Sequence, residues 1–265
     1  SPDGRRLLCL VRKTDTEKLE RDNDEQKKKL GVVSRQYDRL FYKLDGYGYL
    51  PHERTHIWLI DARTGKGKQL TDHPVWDEQD PAFSSDGKWI TFMSNRQKDP
   101  DLNPDAVDLF VMSAAGGDEP RKIKTNGGYK TLPSFSPDGQ WIAYYGQDGE
   151  GLGYKNLSLW IVPADGSKSP RNFTEKHDLH CYPDIINDVG SPEYMPPTWS
   201  NDSKTIYFPV AHHGSVLLKS ITVSGEIRDV IGEGGAVGAF SFDKAQTKLA
   251  YFYGQMHDPA QIYFR

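Results

Sequence analysis

Ser84-Ser85-Asp86-Gly87-Lys88-Trp89-Ile90-Thr91-Phe92 is a turn followed by alternating apolar residues that end in an aromatic. The same pattern recurs along the chain. Ser1-Pro2-Asp3-Gly4 precedes Leu7 to Leu10, and Ser136-Pro137-Asp138-Gly139 precedes Trp141-Ile142-Ala143-Tyr144. Two degenerate copies follow: Ser200-Asn201-Asp202-Ser203 before Ile206-Tyr207-Phe208, and Ser241-Phe242-Asp243-Lys244 before Leu249-Ala250-Tyr251-Phe252. Pro, Asp and Gly supply the fixed or positive φ that a tight hairpin needs, so each copy joins two antiparallel strands. A repeat at this spacing decides the architecture before any single residue does.

Each repeat reads as four strands. In the second copy Asp80 to Phe83 enters the turn, Trp89 to Met93 leaves it, and Asp108 to Met112 is a third strand. A Gly116-Gly117 turn then returns the chain through Arg121 to Thr125. The third copy continues with Leu157 to Val162, Asp165-Gly166 and Arg171 to Thr174; the first has Ile57 to Asp61, Thr64-Gly65 and Lys68 to Thr71. Four short strands alternating apolar and polar residues form a small sheet that cannot bury both faces alone, so it must stack on its neighbours. The expected class is therefore all-β, a β-propeller of about five four-stranded blades. A helical solenoid is excluded by the period-two alternation. The expected blades are residues 1–71, carrying an insertion at 14–54, then 72–125, 126–174, 175–231, and an incomplete 232–265. Five blades, the last without a fourth strand, read as a fragment of a seven- or eight-bladed ring.

At 265 residues the chain has ample material for a core, and a propeller of this size counts as one domain. A formal charge of −4 with both signs interspersed argues against a nucleic-acid partner. No apolar stretch approaches the roughly 20 residues of a membrane span, and the amino terminus does not resemble a secretion signal. Cys9 and Cys181 make no disulfide framework, which leaves a reduced, cytoplasmic setting as the default and a single bridge as the alternative. No cofactor is expected. Open sheet edges at the ends of an arc invite pairing with another chain, including a second copy.

The insertion begins with a charged stretch, Thr14 to Leu30, in which Thr14 and Glu17 fit a capping box. It is either a plain solvated helix or a flap against a partner domain. Arg35 to Leu50 is dense in rings and turn glycines, suiting hairpin packing or a recognition surface.

The run Tyr42, Asp45-Gly46-Tyr47-Gly48-Tyr49, His56 to Asp61, Gln69-Leu70-Thr71 and Trp76 to Ser84 resembles the propeller of acylaminoacyl-peptidase-like members of the prolyl oligopeptidase family. Pro197 to Ser200 and Ile206 to Phe208 fit the same pattern. The Ser-Pro-Asp-Gly repeat alone is shared with TolB-like propellers; the inserted Asp-Gly-x-Gly-Tyr is more specific. The resemblance implies a propeller that caps an α/β-hydrolase domain, whose catalytic Ser, Asp and His come later in the polypeptide. No serine here has Gly two positions before and two after, so the nucleophile elbow is missing. The function expected is a noncatalytic propeller that gates peptide access to a separate hydrolase; the alternative is a TolB-like protein-interaction scaffold.

Asp99 to Asp105 places oxygen ligands at alternate positions like a calcium loop, but Pro104 stands where Gly is needed and Phe110 where Glu is needed. His177, His180, Cys181 and Asp184 lack the rigid four-ligand set of zinc. His212-His213 marks a turn. The spacing of the Asp turns misses that of sialidase propellers by one residue, and Gly149, Gly151 and Gly153 give half of a phosphate loop. No metal is expected. The binding residues expected are Asp77, Glu78 and Asp80, just before an innermost strand: three carboxylates at a channel mouth either attract the cationic amino terminus of a peptide or form a solvated rim.

Overall fold

The computed structural model describes residues 1–149, 151, 153–184, 194–232 and 234–265. Its sheets follow the repeats. The first contains Arg6–Arg12, Thr55–Asp61 and Gly67–Gln69; the second Glu78–Phe83, Trp89–Ser94, Asp108–Ser113 and Arg121–Ile123. The third contains Lys130–Phe135, Trp141–Gly146, Ser158–Pro163 and Arg171–Asn172. Thr198–Trp199, Thr205–His212, Ser215–Thr222 and Ile227–Ile231 form the fourth. Ala236–Phe242, Leu249–Gln255 and Asp258–Phe264 form the fifth, joined to the fourth by one parallel bridge, Val216 to Ala236. All other ladders within the blades are antiparallel, in sequence order. The three middle blades have the four strands expected, and the two outer blades have three. The sheets form a propeller-like series that does not close.

Period-two alternation sends opposite faces of each sheet into different cores. From the second blade, Phe92, Phe110 and Met112 pack with Ile57 of the first blade, whereas Met93, Leu109, Val111 and Ile123 pack with Ile142, Tyr144 and Val162 of the third. The third and fourth blades share Ala143, Tyr145, Leu159, Cys181, Ile206 and Phe208, and the fourth and fifth share Val216, Leu218, Val237 and Leu249. Each fully buried Leu, Ile or Phe contributes roughly 1.5–3 kcal/mol, so the stacking of blades carries the stability that a lone sheet lacks.

The repeated turn shows why its residues recur. Ser84 Oγ donates to Asp86 at 2.6 Å and accepts from Trp89 N at 3.0 Å, while Asp86 also accepts from Lys88 N. Ser136 with Asp138 and Ser200 with Asp202 repeat the arrangement. The fourth turn residue is left-handed each time: Gly4, Gly87 and Gly139 at φ 69°, 69° and 70°, and Ser203 at 60°. Glycine adopts that region without a Cβ clash.

The fifth turn lies two residues later than the sequence pattern places it. Asp243 N donates to Lys248 O, Asp243 Oδ1 takes the Ser role by accepting from Lys248 N, and Gln246 is the left-handed residue at φ 54°. Consequently Phe242, paired with Leu249, is the equivalent of Phe83, Phe135 and Trp199, paired with Ile90, Ile142 and Ile206. Phe240 is not. Trp199 is buried, but Phe83, Phe135 and Phe242 are only half-buried.

Side chains link successive turns. Arg6 donates to Gly87 O, Ser85 to Pro137 O, Asp138 N to Ser203 Oγ, and Asn201 N to Gln246 Oε1. The non-glycine residues of the degenerate turns thus hold the neighbouring blade.

In the insertion, helices span Thr16–Asp22 and Glu25–Leu30, and neither has a buried residue. The first helix is capped by Asp15, whose carboxylate accepts from Glu17 N and Lys18 N, so the capping box starting at Thr14 is displaced by one residue. Lys43–Leu44 and Gly48–Tyr49 make a short hairpin. Tyr37 lies 4.8 Å from Tyr42 and 5.8 Å from Tyr49, ring centre to ring centre, and all three remain exposed. These rings pack on one another rather than being buried against a blade.

Candidate functional site

The innermost strands of the second and third blades each carry a bulge, between Gln79 and Ala82 and between Thr131 and Ser134. A bulge re-aims side chains, and here both contain a left-handed non-glycine residue, Asp80 at φ 49° and Leu132 at φ 53°. The Asp80 carboxylate bridges the two blades: its Oδ2 accepts from Thr131 Oγ1 at 2.6 Å and Leu132 N at 2.9 Å.

The other two expected binding residues have different surroundings. Asp77 accepts from Thr55 N at 2.7 Å, Arg54 at 3.1 Å and Arg12 at 3.3 Å. Burial pushes its carboxyl up, but these donors outweigh it and hold the pKa below the ordinary value. Glu78 is 1% exposed and so forms no solvated rim. Its Oε2 accepts from Thr71 at 2.7 Å and lies 3.0 Å from His56 Nδ1, with Arg96 3.6 Å from Oε1. Arg96 itself lies over the Phe110 and Trp76 rings. Asp77 and Glu78 therefore tie the first blade to the second, and Asp80 ties the second to the third.

Beyond Asp80, the chain gathers tyrosines that the sequence reading did not single out. Tyr129 precedes the innermost strand of the third blade, and Tyr194 precedes that of the fourth. Tyr182 stacks on Tyr194 at 4.6 Å with the planes 15° apart, and His180 meets Tyr182 edge-on. Leu157 N donates to His180 Nδ1, which leaves Nε2 as the donor to Asp184 at 2.8 Å. The Tyr129 and Tyr182 hydroxyls are both held above the ordinary tyrosine value, chiefly by burial and further by the charges of Asp80 and Asp184. Both stay neutral donors at physiological pH. An aromatic immediately before an inner strand was the available signal for Tyr129.

The metal readings meet specific obstacles. Asp101 is 6% exposed and receives Arg39 through two hydrogen bonds, plus Phe41 N, so a guanidinium occupies the carboxylate of the calcium-like loop. Cys181 is buried in the apolar core shared by the third and fourth blades. Among the described residues no group of three or more His, Cys, Asp or Glu is arranged to hold a metal ion. Both cysteines are free thiols. Among the described residues, no helix is long and apolar enough to cross a membrane.

No protein-family model matches the chain. It is 29% identical over 268 residues to the uncharacterized peptidase YuxL of Bacillus subtilis, an alignment covering 99% of this chain and 39% of that protein. Dipeptidyl-peptidase 5 of Trichophyton equinum is 28% identical over 202 residues, 67% of this chain and 26% of the relative. Among solved structures, the acylaminoacyl peptidase of Pyrococcus horikoshii superposes with a TM-score of 0.65 at 18% identity, covering 99% of this chain and 35% of that one. TolB from Acinetobacter baumannii superposes with a TM-score of 0.54 at 16% identity, covering 80% and 46%. The chain is thus similar in sequence to peptidases, spans well under half the length of the curated relatives it matches, and shares its fold with part of an acylaminoacyl peptidase.

Proposed function

We propose that this chain is the noncatalytic propeller portion of a serine peptidase of the acylaminoacyl-peptidase type, gating the access of peptides to a separate α/β-hydrolase domain. The observation that carries the reading is the end-to-end likeness to 39% of a peptidase in a sequence without a nucleophile elbow. Peptide hydrolysis needs an activated nucleophile with a base and an oxyanion site, and no serine of this sequence stands in the Gly-x-Ser-x-Gly elbow that supplies one in an α/β-hydrolase. A propeller beside such a site acts sterically: extended peptides pass, and folded domains do not. Two free thiols suit a reducing, cytoplasmic setting.

The test has two arms. The 265-residue chain should turn over acylated amino-acid esters at the buffer rate. The intact product of its gene should cleave short peptides while sparing folded proteins that contain the same bonds. Equal cleavage of both substrates would remove the gating role. The TolB fold likeness supports a second reading, a stand-alone interaction scaffold. That reading gains if the intact product cleaves nothing and recovers a protein partner.

A further inference from the structure

In every blade the strand that leaves the repeated turn carries the chain to the opposite end of its sheet, so the connection that follows lies at that end. The insertion of the first blade is such a connection, and so are the loops that carry Leu102, Tyr154 and Met256 in the second, third and fifth. All three of those side chains are exposed, as are Leu40, Tyr42 and Tyr49 of the insertion. The turns at the other end are built mainly of Ser, Asp, Gly and Lys, and side chains tie them together from blade to blade. One end of the sheets is thus polar and cross-linked, and the other offers apolar side chains to water.

Part of that apolar surface is held firmly. Arg39 and Phe41 N both donate to the Asp101 carboxylate. Leu40 lies between those two donors in the chain and Leu102 follows Asp101, so one clasp fixes the backbone of both leucines, which are 62% and 73% exposed. Tyr42 extends the surface through its ring contact with Tyr37, which stacks on Tyr49, and the Arg35 guanidinium lies 4.3 Å over the Tyr49 ring. Single exposed apolar residues are ordinary, whereas an anchored group of them marks an interaction surface.

We propose that the patch of Leu40, Tyr42, Tyr49 and Leu102 is the surface on which the α/β-hydrolase domain of the intact gene product docks. The inference rests on the proposed function for the existence of that domain; it adds which end of the sheets the domain covers and which residues hold it. Three observations select this occupant. The chain matches 39% of the YuxL peptidase, so most of a protein of that length lies outside these 265 residues. Exposed apolar residues recur at the same end in the second, third and fifth blades, a spread that suits one large domain lying across several blades. Tyr with a flanking Arg is the composition of a protein interface, while Asp38 and Asp45 interleaved with Arg35 and Lys43 give neither a membrane surface nor a nucleic acid the basic face it needs.

Hydrogen exchange followed by mass spectrometry tests the surface in the 265-residue chain and in the intact product. Amides of residues 38–50 and 99–105 should exchange about tenfold more slowly in the intact product, while those of the turn at 136–141 exchange alike in both. Leu40→Asp combined with Leu102→Asp should abolish that difference. Both side chains are exposed, so the 265-residue chain carrying the pair should unfold in urea at an unchanged midpoint. Equal exchange in the two proteins, or a difference that survives the double substitution, overturns the docking surface. Protection that arises in the 265-residue chain itself and grows with its concentration also overturns it, and assigns the patch to a second copy.

Fluorophosphonate labelling of the same intact product keeps this result separate from the proposed function. A labelled product without slowed exchange at the patch removes the docking surface and leaves the peptidase reading standing. An unlabelled product removes the peptidase reading, and with it the proposed occupant, whatever the exchange shows.

Discussion

Arg39 and Asp101 meet fork to fork: Nε donates to Oδ2 at 3.0 Å and Nη2 to Oδ1 at 2.9 Å. This pair joins the insertion at residues 14–54 to the loop between the second and third strands of the second blade. Both side chains are largely shielded from water, and a bidentate guanidinium–carboxylate pair is among the stronger polar contacts a protein makes.

Arg39→Ala leaves the Asp101 carboxylate buried with its main partner gone. The expected cost is about 3 kcal/mol in urea unfolding, with faster proteolysis inside residues 14–54. An unchanged midpoint and an unchanged cleavage pattern would show that the insertion is anchored elsewhere.

Acid should loosen the same attachment. Burial alone would raise the Asp101 pKa, but Arg39 and Phe41 N outweigh it and hold it below the ordinary aspartate value. A carboxyl depressed on folding contributes stability that is fully present above its unfolded value and is lost as pH falls through the folded one. Asp77, depressed by Thr55 N, Arg54 and Arg12 against its burial, behaves the same way. Stability should therefore decline as pH falls below about 4, the ordinary aspartate value, and Asp101→Asn, though less stable at neutral pH, should show a shallower decline. Parallel pH profiles for the two proteins would contradict the assignment.

Gln246 tests the linked turns. Its φ of 54° favours glycine, yet its side chain accepts from Asn201 N at 2.7 Å and donates to Trp199 O at 2.9 Å. Gln246→Gly should be destabilising by about 1 kcal/mol, because two inter-blade hydrogen bonds outweigh the relief of the backbone. A rise in melting temperature would mean that the links between turns contribute little.

The two thiols should differ in reactivity. Burial pushes the Cys181 thiol up to about 12, partly offset by Thr174, and the side chain is fully enclosed. Iodoacetamide at about pH 8 should modify Cys9 in the folded chain and reach Cys181 only after unfolding. Peptide mapping by mass spectrometry reads both sites.

The fold was legible where its cause is local. A Ser-x-Asp-Gly turn makes its hydrogen bonds within six residues, so the repeats marked the blades, and alternation marked the faces. The fifth turn was misplaced because Asp243 does the work of Ser and Gln246 that of Gly, a substitution that makes sense only beside Asn201 of the preceding blade. Glu78 was read as part of a channel mouth because His56, Thr71 and Arg96 lie outside its local sequence. The link from Asp80 to Thr131 was hidden for the same reason, because the two residues belong to different blades and only stacking brings them together.

The central claim is that this chain serves a hydrolase without containing its nucleophile, and fluorophosphonate labelling addresses it directly. The 265-residue chain and the intact product of its gene are treated with the same probe, and any labelled serine is located by mass spectrometry. The account predicts an unlabelled chain and an intact product labelled at one serine outside this sequence. A covalent adduct on any serine between Ser1 and Arg265, or an intact product that takes up no probe, would contradict it.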